Sequence, residues 1–99
     1  MTIYRKNDYY HEMRSLEGAI QRCHNPNHKS YSKYGERGIT VCDEWRGRGA
    51  FQRFMEHIGP KPQAGLTLDR IHNDRGYERG NVRWATYSVQ NKNRRKRLH

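Results

Sequence analysis

At 99 residues the chain has surface enough for one modest core and no second one, so a separate regulatory domain is excluded. Only 32% of residues are hydrophobic, and no apolar run approaches the roughly 18 residues of a membrane span, which excludes a helical membrane protein. Twenty Lys and Arg against ten Asp and Glu leave a formal charge of +10, a field that makes a polyanion, by default nucleic acid, the expected partner.

The first predicted element is a helix over 8–22. Met13, Leu16 and Ile20 form one apolar stripe behind Asp8, the expected N-cap, and Pro26 ends the element. "NPNHKSYSKYGERG" is turn chemistry and leads into "ITVCDEW", where Ile39 and Val41 alternate as on a half-buried strand. Phe51, Phe54, Met55 and Ile58 then fall at i, i+3, i+4 and i+7, the pattern of a helix facing a core. "GPKPQAG", residues 59–65, cannot lie inside a helix or a paired strand and marks the main internal break.

Beyond the break, Leu66, Leu68 and Ile71 lead into the loop "NDRGYERGN" and out through "VRWAT", which predicts strand, loop, strand. "YSVQNKNRRKR" contains no breaker and predicts a helix with a basic far end. The fold class is therefore α+β in a single domain, 1–99. Residues 8–58 form a helix–strand–helix part and residues 66–97 a strand–loop–strand–helix module. Charge follows this division: residues 60–99 carry ten basic and three acidic side chains, residues 1–59 ten and seven.

The N-terminus "MTIYRKNDYY" lacks the apolar core of a signal peptide, and two cysteines without such a signal predict reduced thiols and a cytosolic protein. Cys23, His24, His28 and Cys42 are zinc-ligand types, but no second close pair completes a tetrahedral spacing, so the expectation is against structural zinc.

A helix packed across a hairpin can bring a strand carboxylate beside its own amide side chains. Asp69 with Gln90, Asn91 or Asn93 would suit Mg²⁺, or Mn²⁺, which takes few protein ligands and keeps several waters. Such an ion can polarise a phosphate and stabilise a leaving 3′ oxygen. The competing reading is a local ion pair of Asp69 with Arg70 or Arg83.

"AIQRCHNPNHKSYSKYGERGITVCDEW", the pair Phe51 and Phe54, "LDRIHNDRGYERGNVRWAT" and "QNKNRR" together resemble, in order and spacing over residues 19–95, the small phage-encoded HNH endonucleases of the ββα-metal superfamily. The resemblance implies a ββα-metal core, divalent-metal-dependent DNA nicking or cleavage, and, if the chain is phage-encoded, action in the host cytoplasm. Asp69 then matches the strand carboxylate that binds metal. Asn81 matches the central amide that holds the loop and orients the base. The helix ligand falls on Gln90 or Asn91, with Asn93 in support.

One position departs from that pattern. The general base is usually a His directly after the metal-binding Asp, and here that residue is Arg70, as in some superfamily members. A guanidinium stays protonated and cannot serve as an ordinary base, although it can clamp the scissile phosphate. Two substitutes are at hand. His72 would share the strand face of Arg70 if the strand runs that far, and Tyr34 in "YGERG" would lose its proton more readily beside a metal and an Arg. Glu36 replaces a more usual Gly in that segment, which bears on the shape of its turn.

Arg37, Arg83, Lys92, Arg94, Arg95, Lys96 and Arg97 are expected to track phosphates, and Trp84 to anchor the hairpin in the core. The partner is then double-stranded DNA. A monomer that nicks and a homodimer that cuts both strands are equally compatible with these residues. Two other functions fit the composition: a DNA-binding module that kept the HNH scaffold without catalysis, and a small basic RNA-binding protein.

Overall fold

The structure is a computed structural model and describes residues 1–86. The expected C-terminal helix, with Gln90, Asn91, Lys92, Asn93, Arg94, Arg95, Lys96 and Arg97, lies outside the described residues. Within them the chain is a small α+β unit. Helix α1 spans Tyr10–His24 and α2 spans Ala50–Ile58. Three short 3₁₀ turns, Tyr31–Lys33, Gly35–Arg37 and Asp43–Trp45, lie between them. Strands β1, Thr67–Arg70, and β2, Val82–Ala85, follow as an antiparallel pair. None of the described helices is long and apolar enough to cross a membrane.

Helix α1 presents Leu16, Ala19 and Cys23 to the core, with Met13 and Ile20 packed at its margins. Its start differs from the expected Asp8 cap. The helix begins at Tyr10, and the cap residue Tyr9 makes no side-chain cap hydrogen bond. Packing fixes this end instead, with the rings of Tyr4 and Tyr9 meeting edge to face at 5.4 Å. The other end follows the rule for a residue before proline: Asn25 leaves helical geometry at φ −110°, ψ 104°.

The expected strand at "ITVCDEW" is a correction. Only Val41 pairs, as an isolated parallel bridge with Tyr77, and Asp43–Trp45 turn into 3₁₀. Ile39 and Val41 do face inward, as their alternation implies. The bridge survives as two hydrogen bonds, from Cys42 N–H to the Tyr77 carbonyl at 2.9 Å and from Tyr77 N–H to the Thr40 carbonyl at 2.8 Å. Gly76 permits this approach, because a Cβ there would stand 2.4 Å from the Thr40 carbonyl oxygen.

Helix α2 buries Phe51, Phe54 and Met55 against Trp45, whose ring meets Phe54 edge to face at 5.3 Å. The indole N–H of Trp84 donates to the Gly59 carbonyl at 2.8 Å, which anchors β2 at the end of α2. The backbone N–H of Gly80 donates to His57 Nε2 at 3.0 Å, so α2 also holds the hairpin loop.

His24 joins the end of α1 to the bridge by accepting the Val41 N–H on Nε2 at 3.0 Å. Burial, and then the charge of Arg46, hold its pKa below the usual histidine value. The fold therefore favours the neutral ring. Its contribution to stability is complete above the unfolded-chain value of about 6.5 and falls as pH drops through that value. The urea midpoint is expected to decline from about pH 7.5 to about pH 5.5, and His24→Gln, which keeps an acceptor near Nε2 but does not titrate, to flatten the decline. An equally steep decline in the variant would assign it to other groups.

Candidate functional site in the hairpin

The hairpin register pairs Thr67 with Ala85, Leu68 with Trp84, Asp69 with Arg83 and Arg70 with Val82. Side chains alternate across the pleat, so Asp69 and Arg83 share one face while Leu68 and Arg70 occupy the other. Asp69 is 6% exposed, and its Oδ2 accepts from Arg83 Nε at 2.9 Å. A buried carboxylate opposite a half-exposed guanidinium is a charge balanced in place. The observed ion pair thus falls on the side chain expected from the sequence to bind metal.

Asn81 is fully buried and organises the loop between the strands. Its Oδ1 accepts the His72 N–H at 2.8 Å, and its Nδ2 donates to the carbonyls of His72 at 3.2 Å and Gly76 at 2.8 Å. One amide thereby satisfies three backbone groups, a use to which its paired donor and acceptor suit it. The Asn81 carbonyl takes the Ile71 N–H at 2.9 Å. The strand does not run as far as His72: β1 ends at Arg70, so His72 does not continue its face, and the residue is exposed at the loop entrance.

Arg70 is 7% exposed and turned away from Asp69. Its Nη1 donates to the carbonyls of Asn73 at 2.6 Å and Arg75 at 2.9 Å, inside the hairpin loop. The guanidinium carbon lies 5.3 Å from the ring centre of Tyr34 and 5.5 Å from that of Tyr77. Arg22, from α1, lies against the same two rings at 5.0 and 5.9 Å and donates from Nη2 to the Tyr77 hydroxyl at 2.9 Å. Two cations and two aromatic faces form a cage joining α1, the "YGERG" turn and the hairpin. Burial pushes the Tyr77 phenol above its ordinary pKa, with Arg22 partly opposing, so Tyr77 acts as a neutral hydroxyl.

Tyr34 is half-buried within this cage, on the side of the hairpin that holds Arg70. Its turn accommodates Glu36 without strain, since Glu36 is exposed within a 3₁₀ turn and no non-glycine residue among those described has positive φ. The left-handed position is taken by Gly38, at φ 86°. Arg37 is exposed and donates to the Lys33 carbonyl at 3.1 Å, which leaves its charge at the surface.

Arg22 and Tyr77 belong to the site's architecture and were not singled out by the sequence. Their signal is faint: an Arg directly before a core-facing Cys23 near a helix C-terminus, and an aromatic between two loop glycines.

The zinc-type side chains are engaged locally. His24 Nε2 accepts from Val41, and His28 Nδ1 accepts the Ser30 N–H at 3.0 Å. Burial raises both thiols above the ordinary cysteine pKa, so both are protonated at neutral pH. Among the described residues no three His, Cys, Asp or Glu side chains converge as a metal site. For Mg²⁺ or Mn²⁺ the hairpin offers one buried carboxylate, which fits an ion that needs few protein ligands. No family model, curated protein or solved structure matches the chain.

Proposed function

We propose that this protein is a divalent-metal-dependent DNA endonuclease of the HNH type that nicks or cuts by hydrolysing a phosphodiester bond. The observation that carries the reading is the pairing of a buried strand carboxylate, Asp69, with a loop tied by a buried amide, Asn81. Asp69 would hold Mg²⁺ or Mn²⁺ together with Gln90 or Asn91, with Asn93 beside them. The ion, when bound, supplies a Lewis acid for the phosphate and the leaving oxygen.

The protein's own part is positioning and proton transfer. Asn81 grips both backbone polar groups of His72, so of the two candidate bases it is His72 whose main chain is held. An imidazole is suited to take a proton from water near neutral pH. Tyr34 lies between two guanidinium groups and serves the cage. Arg83 balances Asp69, and Arg37, Lys92, Arg94, Arg95, Lys96 and Arg97 supply phosphate contacts.

A second reading is supported by Arg70. The residue at the usual base position is committed to loop carbonyls, as expected of a DNA-binding module that retained the scaffold and lost catalysis. Supercoiled plasmid incubated with the protein in Mg²⁺, Mn²⁺ or EDTA separates the two. Nicked or linear product in metal and none in EDTA is expected. Intact plasmid in both metals, with DNA bound equally well in EDTA, would establish the binding module instead.

A further inference from the structure

A second polar feature lies between α1 and the start of β1. A cavity of about 450 Å³ opens there, within the size range of ligand sites. Arg14 and Arg22 of α1, Lys33 of the first 3₁₀ turn and Lys61 of the linker line it, with the hydroxyls of Ser30 and Tyr34 between them. Among the described lining residues none is acidic, and none of the four cations forms an ion pair with a described carboxylate. Like charges gathered without a counter-charge repel one another, and an anion placed among them relieves that repulsion.

An independent observation comes from Arg22. Its Nε is buried and has no hydrogen-bond partner. A buried donor left unmade costs free energy, so the Arg22 guanidinium is held here with part of its hydrogen-bonding capacity unused. Its Nη2 and the Tyr77 hydroxyl are already joined, and its guanidinium carbon lies over the Tyr34 ring at 5.0 Å. Tyr34 and Tyr77 line the cavity and also flank Arg70, so the cavity borders the cage behind the hairpin.

We infer that this cavity is a phosphodiester-binding groove that seats the backbone of duplex DNA beside the segment held by the hairpin. The polymer's identity as DNA rests on the nuclease reading above; the requirement for a phosphate-like anion does not. Arg14 and Lys33 are exposed and bring mobile charges to a backbone oxygen, whereas Arg22, tied to the Tyr77 hydroxyl, brings a charge held in place. The basic segment after residue 86 carries no acidic residue, so its chemistry does not complement the groove.

The test is fluorescence anisotropy of a short labelled duplex in EDTA, where cleavage plays no part, across a series of salt concentrations. Arg14→Gln with Lys33→Gln is compared with Arg5→Gln with Lys6→Gln, an equal charge loss at exposed residues outside the groove. The groove pair is expected to weaken binding about tenfold at low salt and to reduce the salt slope by about 1.8, the value for two lost phosphate contacts, while the control pair changes both much less. Equal effects of the two pairs, or wild-type binding by the groove pair, would overturn the groove. So would displacement of the duplex by a mononucleotide as effective, per phosphate, as an unlabelled duplex, since the site would then belong to a small phosphate ligand. The nuclease reading fails separately, if the wild type binds through this groove yet leaves plasmid intact in every metal.

Discussion

Asp69→Asn is expected to reduce metal-dependent nicking of supercoiled plasmid on the order of a hundredfold or more, while the protein stays folded and still binds DNA. The substitution keeps the shape of the side chain and one acceptor for Arg83 Nε, so the cross-strand contact survives as a weaker hydrogen bond. Arg83 is half-exposed and can be solvated once its partner is neutral, which limits the stability cost to about 1 kcal/mol. What disappears is the negative charge a divalent ion requires. Binding in EDTA should stay within a few-fold of wild type, because Asp69 repels phosphate rather than attracting it. Gel quantification of nicked product over time, beside urea unfolding of both proteins, distinguishes loss of chemistry from loss of fold. Nicking by the variant at the wild-type rate would remove Asp69 from the reaction.

Much of the fold was legible where one physical signal acted alone. Phe51, Phe54 and Met55 fall on one side of a helix, and no other arrangement of that spacing hides all three, so α2 appears where expected. The prolines and glycines of 59–65 separate the parts, and the two strands flank a loop whose residues favour turns. Signals that depended on a distant partner were misread. Ile39 and Val41 alternate correctly, but a strand needs a neighbour, and their neighbour is one residue, Tyr77, admitted by the missing side chain of Gly76.

The site divides along the same line. Asn81 could be placed from its motif because its role is local, within ten residues of everything it binds. Arg70 is local only in part: its hydrogen bonds go to the hairpin loop, but the Tyr34 ring beside it comes from the distant "YGERG" turn. The pleat nevertheless carried a usable warning: adjacent strand residues point to opposite faces, so Asp69 and Arg70 cannot both face one phosphate along a regular strand. The break in the strand before His72 arises in the loop's own hydrogen bonding, in which Asn81 takes over from the cross-strand ladder.

Asn81→Ala is expected to have the largest effect on stability, a loss of roughly 2–4 kcal/mol, from its removal of three hydrogen bonds at a site without access to water. Against a total stability of about 5–15 kcal/mol for a small domain, that is a large share, and the urea midpoint is the direct readout. Asn81→Asp makes the mechanism specific. It retains an acceptor for the His72 N–H but presents a second oxygen, in place of an NH₂ group, to the carbonyls of His72 and Gly76. Burial and those carbonyls would raise its folded-state pKa above the unfolded value of about 3.9, so its protonated form is the one the fold tolerates. Stability is then present below that unfolded value and is lost as pH rises through the folded one. Measured relative to Asn81→Ala, Asn81→Asp should therefore gain stability as pH is lowered. A difference between the two that ignores pH, or an Ala variant within about 1 kcal/mol of wild type, would mean the loop is held by Arg70 and the Tyr77 bridge and that Asn81 is dispensable to it.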